Sequence, residues 1–351
     1  MLQRIHFRRS IKEVVPLRGL IVFEIIVGGE FNEPILSSLA EKDVKIALHC
    51  LKESQNFIDK SIMETYTLAI VRSFEVKKGS IYKISVSPPS TEGMYCLTVS
   101  VSNMPILPVI SGPFSVIDTV DDLNLNASSI FIQPLLYNFR DISFGNCSLY
   151  IREEYGASLG SHLYDSSIAL ADYCSEPSNS MNEQFFGSRI LELGAGCGLV
   201  GIFVASMLAS SRLPILLTDK RCQMSLLEYN IHLNNAEERC SAFELDWDSE
   251  DDYRNLQREM RALWASDDKD TDKKVVVDTI IATDVLYDHG IVNVFFNLVR
   301  KLGTAGITKL LLAQKIRGED SVNVSNIPGV KSVSRIHENK DAAVIIWLVE
   351  L

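Results

Sequence analysis

Two hydrophobic periods divide this chain. Up to about residue 118 the apolar positions recur mostly at every second residue. Tyr66, Leu68, Ile70 and Phe74 fall on one face. Ile81, Ile84 and Val86 form a run that Pro88-Pro89 stops, and Tyr95, Leu97, Val99 and Val101 alternate. Apolar runs at 20–27 and 44–51 come before these. A run at 109–117, broken by Gly112-Pro113, comes after, and Lys78-Gly79 supplies one of the turns. Period-two runs between short Gly, Pro and Ser turns predict a small, mainly β, sandwich-like domain over 1–118. The string Gly93-x-Tyr95-x-Leu97-x-Val99 resembles the penultimate strand of an immunoglobulin or fibronectin domain. Leu97 stands where an immunoglobulin cysteine would, so no inter-sheet disulfide is implied. Such a module serves either to bind a partner or as a stabilising appendage.

Residues 119–154 read as a connector, polar at 121–129 and more apolar from 130 to 139. From 155 onward apolar strands alternate with helical patterns. Asp165 is the expected N-cap of a helix with Ile168, Leu170 and Ala171 on its apolar face, and 175–184 is a polar loop. Strands are expected at 190–193, 214–218, 241–245, 274–283 and 309–313. Helices are expected at 199–208, 222–234 and 291–302, with Leu226, Leu227 and Ile231 apolar in the second. Residues 248–274 read as an acidic insertion with a helix over 253–264, and 330–336 with 342–351 as a closing hairpin. Alternating strands and helices indicate an α/β fold on a parallel sheet, and the hairpin adds an antiparallel member.

The stretch that gives this pattern a chemistry is 189–219. An apolar strand runs into Gly194-Ala195-Gly196-Cys197-Gly198, a helix follows, and the next strand ends on Asp219. Glycines let a backbone turn tightly and approach a ligand. A helix N-terminus offers N–H groups to an anion, and an acid at the end of the second strand accepts hydrogen bonds from ribose hydroxyls. Gly196-x-Gly198-x-x-Gly201 fits the dinucleotide pattern, so NAD stays open at this point, whereas a phosphate-gripping P-loop does not, because no G-K-[ST] follows. Further acids and aromatics close later strands: Glu244-Leu245-Asp246-Trp247 and Asp284-Val285-Leu286-Tyr287. In open α/β sheets that edge is where ligands bind.

The fuller string Glu192-Leu193-Gly194-Ala195-Gly196-Cys197-Gly198 resembles motif I of the seven-β-strand methyltransferases, which bind S-adenosylmethionine. Together with Asp284-x-x-Tyr287, residues 155–351 resemble the METTL group of protein methyltransferases, which modify lysines on non-histone proteins. The segment Leu163-Tyr164-Asp165-Ser166-Ser167 is similar to the group's W-[DP]-x-[AS] box, with Tyr164 in place of the usual Trp. Glu244-Leu245-Asp246-Trp247 with an insertion after it resembles a branch whose substrate is a nuclear, nucleic-acid-associated protein. Between the strand at 309 and the final hairpin the chain is short where relatives often hold a helix.

This resemblance implies a Rossmann-like seven-stranded sheet with a terminal antiparallel hairpin. It implies S-adenosylmethionine as cofactor, S-adenosylhomocysteine as product, and a set of roles. Glu192, Gly194, Ala195, Gly196 and Gly198 would surround the methionine end, with Tyr164 beside the cofactor. Asp219 would hold the ribose, Asp246 and Trp247 would flank adenine, and Thr283 would lie behind the cofactor. Asp284 and Tyr287 would face the substrate channel, Asp284 capturing and orienting the acceptor amine as a carboxylate otherwise unpaired in the cleft. A methyltransferase acting on protein histidine or a small molecule, and a non-catalytic interaction protein on the same fold, remain alternatives.

Composition narrows the partners. The chain has 351 residues, 46% of them hydrophobic, and a net charge of −11. That balance disfavours non-specific binding to nucleic acid or anionic membrane and fits a protein substrate of basic character. Cys50, Cys96, Cys147, Cys174, Cys197, Cys222 and Cys240 include no C-x-x-C pair, and the six histidines show no ligand spacing. Neither a zinc site nor a redox centre is expected, and scattered thiols point to cytoplasm or nucleus. No apolar run reaches the length of a membrane span. The basic start, MLQRIHFRRSIKEVV, has the charge of a targeting leader but carries Glu13, lacks serine richness and runs into a strand-like segment.

Overall fold

The computed structural model describes residues 3–9, 14–16, 21–28, 44–51, 64–71, 75–77, 81–86, 93–101, 106–107, 109–111, 114–117, 137–154, 158–208, 213–264, 275–317, 324 and 330–351. The chain forms two compact units, one of residues 2–142 and 150–156, the other of residue 1, 143–149 and 157–351.

The first unit is built on two β-sheets. One runs Glu75–Lys77, Ile81–Val86, Ile21–Gly28, Gln3–Arg9, Ile106–Leu107 in spatial order. In the other, Val44–Leu51 lies between Glu64–Val71 and Gly93–Val101, in register with the latter from Val44 opposite Val101 to Leu51 opposite Met94. Phe114–Ile117 and Val109–Ile110 continue this sheet. The expected alternation holds: Tyr95, Leu97, Val99 and Val101 are all buried. They join Ile5, Phe23, Ile25 and Ile84 of the first sheet in one apolar cluster, so the two sheets pack as a sandwich. The buried face of Ile81–Val86 runs through Tyr82, Ile84 and Val86, which keeps the two-residue period. Cys96, next to Leu97, is an unbridged thiol whose burial pushes its pKa up to about 12. Phe74, Lys78-Gly79, Pro88-Pro89, Gly112-Pro113 and the polar stretch 121–129 lie outside the described residues.

The connector reading of 119–154 needs correction. Tyr137–Phe144 and Cys147–Glu154 are neighbouring strands joined to the second sheet through Ile110 opposite Phe139. Their polar residues hide a structural use. Arg140 and Glu153 form a buried ion pair at 2.5 Å, and Arg140 donates from NH1 to the Ile5 carbonyl at 2.7 Å. A charge pair in an interior position broke the apolar period that would have marked a strand.

The second unit is an α/β sheet of seven strands, labelled within the unit: β1 Ile190–Leu193, β2 Ile215–Asp219, β3 Cys240–Glu244, β4 Thr279–Thr283, β5 Lys309–Lys315, β6 Ser332–Asn339 and β7 Val344–Glu350. Their order is β3-β2-β1-β4-β5-β7-β6. β1 to β5 are parallel, and β7 runs antiparallel between β5 and β6. The helices are α1 Asp165–Ser175, α2 Glu183–Phe186, α3 Leu199–Met207, α4 Met224–Leu233, α5 Glu250–Trp264 and α6 His289–Leu302. Leu191 and Leu193 of β1 share a core with Leu256, Met260 and Trp264 of α5 and Phe295, Val299 and Leu302 of α6. Glu192, between those leucines, points to the opposite face and meets α3. Helices therefore cover both sheet faces, and the strand order reverses between β1 and β4, the place beyond the strand ends where sheets of this kind bind ligands.

Two further expectations change. The acidic stretch after β3 is no appended insertion where it is described: α5 buries Leu256, Met260 and Trp264, and the Trp264 indole donates to the Pro214 carbonyl at 2.8 Å. Its acids occupy the solvent face and its first turn, which hid the apolar stripe. Residues 265–274 lie outside the described set. The polar loop at 175–184 holds a single 3-10 turn, Pro177–Asn179, and leads into the short α2. No helix among the described residues is long and apolar enough to cross a membrane.

Candidate functional site

The glycine turn sits at the strand reversal. Gly194 and Gly196 have φ of +68° and +55°, the left-handed region that side chains disfavour. Space is equally restrictive. A Cβ on Gly194 would lie 2.9 Å from Val285 Cγ1 and 3.3 Å from the Trp247 ring, and one on Gly196 would lie 2.9 Å from the Gly160 carbonyl oxygen. Gly198 is the N-cap of α3. Ala195 donates to Thr218 O at 3.0 Å, which ties the turn to β2. At Gly201 a Cβ would fall 2.0 Å from Leu217, so this glycine lets α3 lie close on the sheet.

Asp219 closes β2 beside the turn. Oδ2 accepts from Gly196 N and Oδ1 from Lys220 N, both at 2.7 Å. Burial raises its pKa, and those two N–H donors oppose the rise. A carboxylate has about four acceptor positions, so capacity remains for hydroxyl donors. Asp246 lies in the loop after β3. Its Oδ2 is 3.4 Å from Lys220 Nζ, and its backbone N–H donates to Asp252 at 2.9 Å. Trp247 is half-buried, packed against Phe295 with ring centroids 5.2 Å apart, and its indole borders Gly194. Thr283 ends β4, paired with Ala313 of β5. Thus Gly194, Ala195, Gly196, Gly198, Asp219, Asp246, Trp247 and Thr283 all stand at the carboxyl edge of β1 to β4.

Glu192 departs from its expected place. It is 1% exposed, and Oε2 accepts from Gly201 N at 2.9 Å. The side chain is a strut between β1 and α3 beneath the turn rather than a group facing the cleft. Burial pushes its pKa up to about 8; the Gly201 bond works against this, and the nearby Asp219 charge adds to it.

Asp165 also differs from expectation. Tyr164 occupies the N-cap position of α1, with its hydroxyl donating to Leu159 O at 2.5 Å. Asp165 is the first helical residue, fully buried, and pairs with Lys315 Nζ at 2.6 Å. A cation at the end of β5 claims the carboxylate that a cap would have used.

The largest correction concerns Asp284. Its carboxylate is not unpaired: Arg317 grips it with two bonds, NH1 to Oδ1 at 2.8 Å and NH2 to Oδ2 at 2.5 Å. Gln314 Nε2 at 2.8 Å and Lys315 N at 3.3 Å also donate to Oδ1. The Asp284 side chain is 2% exposed and that of Arg317 34%. Gln314 turns its amide oxygen to Leu286 N at 3.1 Å, so one residue of β5 fixes both ends of the loop. Asp284 also has φ of +57°, an uncommon conformation for a non-glycine residue. It does not cap α6; Asp288 does, accepting from Gly290 N at 2.6 Å. Tyr287 stands 60% exposed at the same edge. Sequence reading missed Gln314, Lys315 and Arg317. The available signal was the polar string that interrupts an apolar strand at its carboxyl end, where a ligand edge was already expected.

Comparison with known proteins adds the family. A family model described as "Lysine methyltransferase" matches residues 143–327. EEF1A lysine methyltransferase 3 of Mus musculus is 32% identical over 88 residues, covering 24% of this chain and 34% of that protein. Protein N-lysine methyltransferase METTL21A of Mus musculus is 25% identical over 228 residues, covering 63% of this chain and 91% of that protein. UPF0665 family protein C23C4.06c of Schizosaccharomyces pombe is 26% identical over 190 residues, covering 52% of this chain and 51% of that one. The chain thus spans about a third and a half of two of these relatives and nine-tenths of the other.

Proposed function

The chain belongs to the lysine methyltransferase family, and from that premise we propose that it transfers a methyl group from S-adenosylmethionine to a lysine side chain of a non-histone protein. The methyl donor is S-adenosylmethionine, and the residues of the cleft fit it. The turn at Gly194 and Gly196 carries no side chain. Asp219 keeps acceptor capacity for a ribose diol, and Trp247 offers a flat apolar surface next to the turn. When bound, this cofactor supplies an electrophilic methyl group on a sulfonium.

The chain's own residues supply position and charge. The start of α3 presents backbone N–H groups to a carboxylate. Asp219 and the Asp246-Trp247 pair would hold the nucleoside, and Asp284 and Tyr287 would border the acceptor. A lysine amine has an ordinary pKa near 10.4 and must give its proton to water before it attacks. Proximity then supplies much of the rate. The net charge of −11 supports a basic protein partner and no direct contact with nucleic acid, and the dispersed thiols support the cytoplasm or nucleus.

The observation that carries this reading is the joint one: a family match spanning the glycine turn and Asp284, over a turn in which positions 194 and 196 have no room for a side chain. The test is tritiated S-adenosylmethionine labelling of a source-cell lysate by the purified chain, with mass spectrometry of the labelled proteins. Label on lysine is the expected result. Label confined to histidine or small molecules would overturn the lysine reading, and absence of calorimetric cofactor binding would overturn the enzyme reading as well.

A further inference from the structure

We propose that Gln314 is a positioning residue for the cofactor turn: its one side-chain amide holds residues 284–287 in the conformation that sets Val285 against Gly194. The proposal concerns the methyl-donor side of the site and stands whatever group accepts the methyl.

The segment between β4 and α6 starts on the sheet and leaves it within one residue. Asp284 N donates to Ala313 O at 2.8 Å, which continues the pairing of β4 with β5. The backbone of Asp284 then takes φ of +57°, a conformation that non-glycine residues keep only where neighbouring contacts hold it. This bend delivers Val285 to the core, with Cγ1 2.9 Å from where a Cβ on Gly194 would stand. It also buries Leu286, whose backbone N–H must then find an acceptor inside the protein.

Gln314, in β5, is 3% exposed and meets both demands. Its Nε2 donates to Asp284 Oδ1 at 2.8 Å, and its Oε1 accepts from Leu286 N at 3.1 Å. An N–H needs the amide oxygen and a carboxylate needs the amide NH2, so the two partners fix which way the amide points. Arg317 and Lys315 N also anchor the Asp284 carboxylate, whereas the Leu286 N–H gives its bond to Gln314. Without the amide that N–H is left buried and unpaired, and the segment relieves the cost by opening to water. Val285 then leaves Gly194 for part of the time. Apparent cofactor affinity falls in proportion to the fraction of chains with the segment in place.

The charges around Gln314 are already engaged with one another. Arg317 bonds both Asp284 oxygens, and the Lys315 ammonium pairs with Asp165 of α1. Across the sheet Gln314 lies opposite Ile345 of β7, and Ile345 opposite Glu338 of β6, which pairs with Arg335. A carboxyl placed at 314 would therefore meet Asp284 as its nearest anion.

The experiment compares the full chain with Gln314→Leu and Gln314→Glu by two measurements. One is hydrogen exchange followed by mass spectrometry without cofactor, and the other is calorimetric S-adenosylmethionine affinity. Gln314→Leu keeps a similar volume and removes both bonds. Exchange within 284–287 should become about tenfold faster while the amides of β1 keep the parent's rate, and affinity should fall about tenfold. Gln314→Glu still accepts from Leu286 N but sets a second carboxylate beside Asp284. As pH falls from 8.5 to 5 the two carboxylates share a proton, which restores the missing donor. Its affinity deficit, taken against the parent at each pH, should therefore shrink toward low pH. Affinity within about twofold of the parent in folded Gln314→Leu would overturn the proposal. So would exchange that quickens equally in β1, the mark of a merely structural role. Should Gln314→Leu not fold, Gln314→Glu decides, because a deficit that is absent or indifferent to pH overturns the proposal as well.

Discussion

Glu192→Gln is the sharpest probe of how the cofactor turn is supported. The wild-type carboxyl is buried beneath α3, bonded to Gly201 N, and its pKa is raised from the usual 4.5 to about 8. Between those two pH values the folded chain holds a proton on Glu192 that the unfolded chain has released. Stability is therefore fully present below about pH 4.5 and is lost as pH rises through the folded value. At about 1.4 kcal/mol for each pH unit that separates the two values, the loss across the window has a ceiling of about 5 kcal/mol. Glutamine has similar volume and can still accept from Gly201 N, but it carries no charge at any pH. The variant should thus lack this part of the decline between pH 5 and 8. Urea unfolding followed by tryptophan fluorescence isolates the effect, because Trp247, Trp264 and Trp347 all lie in the second unit. Parallel pH dependences for the two proteins would refute the reasoning and place the Glu192 titration below the measured range.

Three other perturbations test separate contacts. Gly201→Ala puts a methyl group 2.0 Å from Leu217 and 2.5 Å from Glu192 Oε2, so it should destabilise by about 1–3 kcal/mol through overpacking; urea unfolding showing no loss would mean that α3 is farther from the sheet. Lys315→Met leaves fully buried Asp165 without its cation and should cost about 3–5 kcal/mol in the same assay, whereas a loss under about 1 kcal/mol would remove the pair as a tie between α1 and β5. Asp219→Ala should weaken S-adenosylmethionine binding by about 1–3 kcal/mol in calorimetry, and unchanged affinity in the folded variant would remove the ribose assignment.

The features legible in the amino-acid sequence are those that depend on local pattern. Alternation along 95–101 marks a strand buried on one face, because side chains in a strand alternate sides and only one face meets the other sheet. The run from Glu192 through Gly198 to Asp219 identifies a nucleotide-type βαβ turn, because few residues other than glycine occupy the backbone conformations that such a turn requires. The acids and aromatics at 219, 246, 247 and 284 were legible as a site because each follows a strand, and parallel strands deliver their ends to one edge.

What those side chains face is set by packing between elements distant in the chain. Glu192 and Asp219 are both acids in the same βαβ unit, yet one lies under α3 and the other beside the turn. Strand alternation and the close approach at Gly201 make that distinction, and no local pattern states it. Asp165 and Asp284 acquired their partners from Lys315 and Arg317, which are 150 and 33 residues away in sequence. Pairs at such separations are set by which strands neighbour each other, and β5 reaches Asp284 only because it lies next to β4 in the sheet. The hairpin at 137–154 was hidden for a related reason. Arg140 and Glu153 satisfy each other in the interior, and a buried charge pair looks, in sequence, the same as two charges exposed to water.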